Sequence, residues 1–283
     1  MATINSNGTG GGPSNVGSTW EGGVVPGAAD YAEVVTGDTV NMVGAQTFQC
    51  LVANGGTING GTAVITSAPG SAGGAGYGIK NGGTINGQNA TFDCTDPSTG
   101  GFGIDGNGAS GQYGGGTLNV GNMTVKNGNL YCAPSGGTAV HFSGTLTLIN
   151  ATLNLETSTS GADAPATVTG SGTIIGGTVQ NCTFASGSTI TLIGVTDGGS
   201  NVFAGGTVNI LGSSTWSHAI TATTVFWGSS VHASTFGAGI TGNLIVGASL
   251  DTVPTVSGTK TIVARGITVA GLFVAVPQNT EIG

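Results

Sequence analysis

The sequence predicts an all-β fold, a right-handed parallel β-helix (solenoid) with capped ends and irregular coils of about 30 residues, within the range of solenoid repeats. Three observations predict it: a phrase that recurs along the chain, strict alternation of apolar and polar residues around it, and no helical periodicity beyond three turns. The phrase is Gly55-Gly56-Thr57-Ile58-Asn59, which returns at Gly82-Gly83-Thr84-Ile85-Asn86 and Gly115-Gly116-Thr117-Leu118-Asn119. It returns again at Gly176-Gly177-Thr178-Val179-Gln180 and Gly205-Gly206-Thr207-Val208-Asn209, with a looser relative at Gly144-Thr145-Leu146-Thr147-Leu148. A supersecondary unit repeated at such intervals is the signature of a solenoid.

With threonine as the marker, Thr57, Thr84, Thr117, Thr145, Thr173, Thr207 and Thr241 follow one another at uneven intervals of roughly 30 residues. A second threonine follows at one fixed offset after three of them, Thr91 after Thr84, Thr124 after Thr117 and Thr152 after Thr145. A constant offset beside variable stretches predicts two short strands joined by a tight corner. Period-two alternation predicts that each strand is half buried. Gly and Asn at the corners predict positive φ there. The Gly-, Ser- and Pro-containing stretches, such as Ser67 to Tyr77 and Asp96 to Tyr113, read as loops that leave the coil and return. A disordered low-complexity chain or an ordinary β-sandwich explains the alternation and the fixed offset less well.

In chain order, residues 1–19 read as a flexible N-terminal arm, 20–40 as an N-terminal cap, 41–250 as the β-helix body, and 251–283 as C-terminal strands or a cap that could contact another copy. Rings cluster late in the body, at Trp216, Phe226, Trp227 and Phe236 with His218 and His232, and the stretch around Phe273 is the most apolar. Trp20, Trp216, Trp227, Phe226 and Phe273 are the expected cap or interface residues.

Composition narrows the partners. Of 283 residues 57 are Gly, the net charge is −8, and only 6% are charged, against about 25% in ordinary globular proteins. Such a surface must be built of Thr, Ser, Asn and Gly, and it predicts faces hidden in a homo-oligomer. Four scattered basic residues, Lys80, Lys126, Lys260 and Arg265, make no phosphate-binding patch, so nucleic acid is not an expected partner. No run approaches the roughly 20 apolar residues of a membrane span. The start, Met1-Ala2-Thr3-Ile4-Asn5-Ser6, lacks the basic and apolar regions of a signal peptide, which predicts synthesis in a cytoplasm. Cys50, Cys94, Cys132 and Cys182 are too far apart for a zinc knuckle and read as small core residues.

Trp20-Glu21-Gly22-Gly23-Val24-Val25-Pro26 through Asp30, leading to Gly37-Asp38-Thr39-Val40, resembles the opening of many β-helix proteins. With the repeats, it makes most of the chain similar to the Gly- and Thr-rich parallel β-helix proteins of bacteriophage particles: tail spikes, fibres and head-decoration proteins. The resemblance implies a non-enzymatic structural component of a virion, made in the host cytoplasm and assembled as a homotrimer or as a component of a symmetric lattice. It also implies attachment to other virion proteins through the N-terminal arm. Two alternatives stand beside it: a tail spike that binds or depolymerises surface polysaccharide, and a bacterial adhesin or surface-layer protein at the cell surface.

An enzyme of this shape acting on glycans needs two carboxylates across one bond. The candidates are Asp93, Asp96 and Glu156, within a wider acidic set of Asp105, Asp163, Asp197 and Asp251. Isolated Asp in Gly-rich sequence more simply caps turns, so no catalytic residue is expected. The scattered acids also make a poor calcium site, and His218 and His232 without a third ligand make a poor zinc site, so no metal or cofactor is expected. Thr-x-Thr occurs at Thr145 and Thr189 but not in every coil, which argues against a threonine face for ice.

Overall fold

The structure is a computed structural model that describes residues 2–67, 79–94, 102–105, 116–131, 139–155, 166–212, 214–216, 220, 222, 224–227, 235–236, 243–246, 262–264 and 280–282. It divides into two compact units, Met1–Ala166 and Thr167–Gly283. Among the described residues there is no α-helix, and the strand pairings are parallel. Parallel neighbours need a crossover between them. Here the crossover is the coil itself, because the chain visits three sheets in a fixed order before it returns to the first. This is a parallel β-helix.

In the first unit, the first sheet stacks Thr3–Asn5, Tyr31–Val35, Cys50–Asn54, Ile79–Asn81, Phe102–Asp105, Asn129–Tyr131 and Thr152–Asn154. The second stacks Gly11–Pro13, Thr39–Asn41, Thr57–Asn59, Thr84–Asn86, Thr117–Val120 and Ala139–Phe142. The third stacks Ala45–Phe48, Val64–Ser67, Thr91–Cys94, Met123–Lys126 and Thr145–Ile149. Inward residues form columns. Val40, Ile58, Ile85, Leu118 and Val140 lie in register on the second sheet, and all five are fully buried. Ile65, Phe92, Val125 and Leu148 do the same on the third.

In the second unit, the third sheet is the longest: Gly172–Ile175, Thr189–Ile193, Thr207–Leu211, Thr224–Trp227, Asn243–Val246, Ile262–Ala264 and Thr280–Ile282. Thr178–Gln180, Thr196–Gly199, Thr215–Trp216 and Thr235–Phe236 belong to the first sheet, and Cys182–Phe184 with Val202–Phe203 to the second. Phe184 stacks on Phe203 at 4.7 Å between ring centroids, and Trp216 tilts against Phe203 at 5.4 Å. These rings fill the core of the unit.

The registers refine the expected period. On the second sheet Asn41 meets Asn59 with a separation of 18, Asn59 meets Asn86 at 27, and Asn86 meets Asn119 at 33. On the third sheet of the second unit, Asn209 and Thr191 are separated by 18. The same column runs from Thr173 through them to Phe226, Ile245, Val263 and Glu281 at nearly even steps. The unadorned coil is therefore the separation of 18 seen in both units, three short strands and three corners. The longer coils are this coil with insertions. The marker threonines suggested a longer period because the coils joining Thr57, Thr84 and Thr117 carry insertions, and because the step from Thr173 to Thr207 skips a coil. Thr57, Thr84 and Thr117 lie on the second sheet, Thr145, Thr173 and Thr207 on the third, and Thr178 on the first.

Residues 1–19 also differ from the expected flexible arm. Thr3–Asn5 pairs with Tyr31–Val35 and Gly11–Pro13 with Thr39–Asn41, so they form two sides of a first coil. Its third side carries the 3₁₀ turns Gly17–Thr19 and Glu21–Gly23 in place of a strand. Trp20, between the turns, is buried, and its indole N–H donates to the Ser14 carbonyl at 2.7 Å.

The doubled glycine of the phrase has two distinct causes. Gly55 has φ +72°, a left-handed conformation that only glycine adopts without cost. Gly56 is needed for close approach: a Cβ there would lie 2.5 Å from the Val35 carbonyl oxygen. The corner asparagines behave as expected, with φ of 56°, 52° and 56° at Asn127, Asn150 and Asn181.

Candidate functional surface

The outer side of the second sheet in the first unit carries two uncharged rows. Thr39, Thr57, Thr84 and Thr117 form one, and Asn41, Asn59, Asn86 and Asn119 the other. Both follow from alternation: the central residue of each Thr-x-Asn strand points into the core, so its neighbours point out. The asparagines form a ladder. Asn59 Nδ2 donates to Asn41 Oδ1 at 2.8 Å, Asn86 Nδ2 to Asn59 Oδ1 at 2.7 Å, and Asn119 Nδ2 to Asn86 Oδ1 at 2.7 Å. Asn59 and Asn86 each spend one donor and one acceptor in the ladder, which leaves capacity for outside partners. His141 takes the next rung, in register with Asn119, and is exposed.

Other polar side chains fasten corners. Asp38 is 2% exposed and accepts from the Gly8 N–H at 2.9 Å and the Gly10 N–H at 2.7 Å. Burial raises its carboxyl pKa, but hydrogen bonds from the Ser6 hydroxyl and from Gly8 and Gly10 outweigh burial and hold it below its usual value of 3.8. Ser6 and Ser14 are themselves buried, and their hydroxyl oxygens accept from the N–H groups of Val35 and Val43, each at 3.0 Å. In the second unit Ser214 Oγ accepts from Val195 N–H at 3.1 Å, and Asn201 Oδ1 from Cys182 N–H at 3.0 Å. At these places the ladder turns between sheets, and a side-chain oxygen takes the place of a carbonyl.

The expected acidic candidates fall into this pattern where they are described. Asp93 lies on the third sheet in register with Lys126 and accepts from Asn127 Nδ2 at 2.9 Å. Asn150 Nδ2 donates onward to Asn127 Oδ1 at 3.3 Å, so Asp93 starts a corner ladder. Asp197 accepts from Asn201 Nδ2 at 2.6 Å and from Gly199 N–H at 3.2 Å. Asp96, Glu156, Asp163 and Asp251 lie outside the described residues, as do His218, His232, Cys132 and Phe273. Asp105 and Cys94 are placed on strands without a described side chain, and so are Phe226 and Trp227. Trp216 is fully buried in the core beside Phe203, so packing accounts for it. Cys50 and Cys182 are core residues, as expected, with the Cys182 thiol donating to the Gln180 carbonyl at 3.3 Å.

Among the described residues, no three of His, Cys, Asp and Glu are placed to hold a metal ion, and no helix is long and apolar enough to cross a membrane. Sequence reading missed Asp38 and Ser6, whose partners Gly8 and Val35 lie 30 and 29 residues away. It also missed the asparagine ladder, although the third letter of each Thr-x-Asn phrase signals it. Comparison with protein-family models, with curated proteins and with solved structures finds no match to the chain in any of the three.

Proposed function

We propose that the chain is a non-enzymatic structural component of a bacteriophage particle, a capsid decoration, fibre or spike. It assembles as a homotrimer and meets other particle proteins through its N-terminal coil. The reading rests on the family resemblance of the sequence. The observation that supports it is the use of polar side chains: Asp38, Asp93 and Asp197 fasten corners, while the outer rungs carry uncharged hydroxyls and amides. Such a body holds a fixed length and resists unfolding and proteolysis. Those are mechanical properties.

A second reading, a spike that binds or cleaves surface polysaccharide, has one observation in its favour. The insertions that lengthen the coils of the first unit join its first-sheet strands. The chain runs on at length from Ser67 to Ile79 and from Cys94 to Phe102, where only Gln49 separates Phe48 from Cys50. Asp96, Asp105, Glu156 and Asp163 lie in or beside these insertions. Incubation of the purified protein with bacterial surface polysaccharide separates the two readings. Unchanged polysaccharide length is expected. Shortening would sink the structural reading and direct mutagenesis to Asp93, Asp96 and Glu156.

A further inference from the structure

At the N-terminal end of the first unit the three sheets finish differently. The first sheet ends in Thr3–Asn5 and the second in Gly11–Pro13, both strands of the first coil. The third ends one coil later, in Ala45–Phe48, because the first coil carries 3₁₀ turns on that side. A terminal strand presents a row of unpaired N–H and C=O groups that another extended chain can use. Two of the three rows are blunted. Beside Thr3–Asn5, Ser6 bridges Trp20, the Asn7 N–H donates to the Thr19 carbonyl at 3.0 Å, and Asn5 Nδ2 donates to the Glu21 carboxylate at 3.1 Å. Gly11–Pro13 contains a proline, which has no N–H, and Gly11 leaves extended backbone at φ +81°.

Ala45–Phe48 has no such protection, since it contains no charge, proline or glycine. The Gly44 carbonyl just ahead of it accepts from the Val64 N–H at 3.1 Å. Backbone groups alternate sides along a strand, so Gln46 and Phe48 face Val64–Ser67 while Ala45 and Thr47 turn theirs the other way. Both are exposed, and among the described residues no hydrogen bond reaches their backbone from that side. The inward column carries a second sign. Gln46 heads the column of Ile65, Phe92, Val125 and Leu148. Those four are buried, whereas Gln46 is half-buried and its Oε1 atom is buried without a hydrogen-bond partner. A buried acceptor without a donor is destabilising. Exposed valines frame the edge: Val43 just before the strand, and Val64 in register with Ala45.

We propose that the edge of Ala45–Phe48 takes an extended segment of another protein as an added strand. What the edge leaves unsatisfied sets the chemistry of that segment. The N–H and C=O pairs of Ala45 and Thr47, two residues apart in line, are matched by an extended backbone. The strand and its valines carry no charge, and Glu21 and Asp30 of the first coil already hold Asn5 Nδ2 and the Gly27 N–H, so the segment is uncharged. Its inward side chain over Gln46 is an amide or hydroxyl donor, as Asn59 is to Asn41 on the second sheet. Its next inward side chain, over Phe48, is apolar. Ala45–Phe48 also lies one coil below the end. Two copies joined through it in one continuous sheet would place their first coils in the same layer, which selects a slender segment over a second copy.

This inference rests on the particle reading above and names the strand through which the N-terminal end meets a neighbour. The probe is a capped, fluorescently labelled peptide, Thr-Asn-Thr-Val-Thr. Running parallel, like the pairings of this sheet, it sets Asn over Gln46 and Val over Phe48. Full-length protein is titrated into it and read by anisotropy, with amide exchange across Ala45–Phe48 to locate the peptide. Thr47→Pro removes one open N–H at a position where an edge strand tolerates proline, and circular dichroism shows that it is folded. The expected result is saturable binding with Kd below about 1 mM, slowed exchange at the edge, and binding weaker by about tenfold or more in Thr47→Pro. The peptide with Ala in place of Asn should also bind more weakly. No saturable binding up to about 1 mM, or binding that a folded Thr47→Pro leaves unchanged, overturns the edge and leaves the particle reading standing. If Thr47→Pro does not fold, the peptide N-methylated at Val decides, because that N–H faces the Thr47 carbonyl; equal binding overturns the proposal. A lower mass for Thr47→Pro than for the wild type would assign the edge to a second copy and overturn the partner segment. Cleavage of polysaccharide would overturn the particle reading and leave peptide binding at the edge as measured.

Discussion

The two units follow the same three-sheet itinerary and differ in what they add to it. The first unit lengthens its coils, to separations of 27 and 33 between rungs, and lines its second sheet with hydroxyls and amides. The second keeps its third-sheet coils near the separation of 18 set by Thr191 and Asn209, and its later third-sheet strands, Thr224–Trp227, Asn243–Val246 and Ile262–Ala264, lose the alternation of apolar and polar residues. The coil is thus the invariant, and each unit has one specialised stretch: insertions beside the first sheet in one, and evenly spaced third-sheet strands without alternation in the other. Both are tolerated because stacking depends on inner columns, which are apolar in both units.

The largest effect that would break this comparison is loss of a column. Phe92→Ala removes a fully buried ring from the first unit and is expected to cost about 3–5 kcal/mol in chemical denaturation. A loss below about 1 kcal/mol would mean that the third-sheet column does not carry the unit. Asp38→Ala comes next. It removes a carboxylate that accepts from two backbone N–H groups, at an expected cost of about 2–3 kcal/mol. The loss should fall on residues 3–13, read as faster amide exchange there while later coils keep their protection.

The same carboxylate makes a pH prediction. Its native pKa is lowered, so its contribution is complete above the ordinary value of 3.8 and fades as pH falls below 3.8 through the lowered native value. Protection of the first coil should therefore decline in acid for the wild type and stay flat with pH for Asp38→Asn. Equal acid sensitivity in both would assign the effect to other groups.

Smaller effects sharpen the contrast. Asn86→Ala breaks the ladder on both sides of its half-buried rung, at a cost of about 1 kcal/mol in thermal or chemical denaturation. Thr84→Ser, one row away, should change stability by less than half of that. Shortening the insertion between Ser67 and Ile79 to two glycines is expected to shift stability by less than about 1 kcal/mol, because closure entropy varies slowly with loop length. Unfolding on deletion would mean that the insertion is part of the coil.

Much of the fold was legible because the pattern is local. Alternation in Thr84-Ile85-Asn86 requires an inward Ile85, and Asn127 and Asn150 mark corners by the conformation they tolerate. The coil length was not legible, because the Gly-Gly-Thr phrase encodes a corner followed by a strand and the chain uses it on all three sheets. Thr57 and Thr178 look alike in sequence yet belong to different sheets. The N-terminal coil was hidden for another reason. Its glycine-rich residues carry little alternation, and Asp38, Ser6 and Ser14 hold them through bonds that reach a full coil along the chain. Of the acidic candidates, spacing alone could not show that Asp93 and Asp197 serve their own corners.

The most direct measurement is the mass of the purified wild-type protein by light scattering across a hundredfold dilution. A stable multiple of the 27.2 kDa chain, three copies in the proposed assembly, is the expected result. A species of 27.2 kDa throughout the range would contradict it, because the proposed assembly needs more than one copy of the chain.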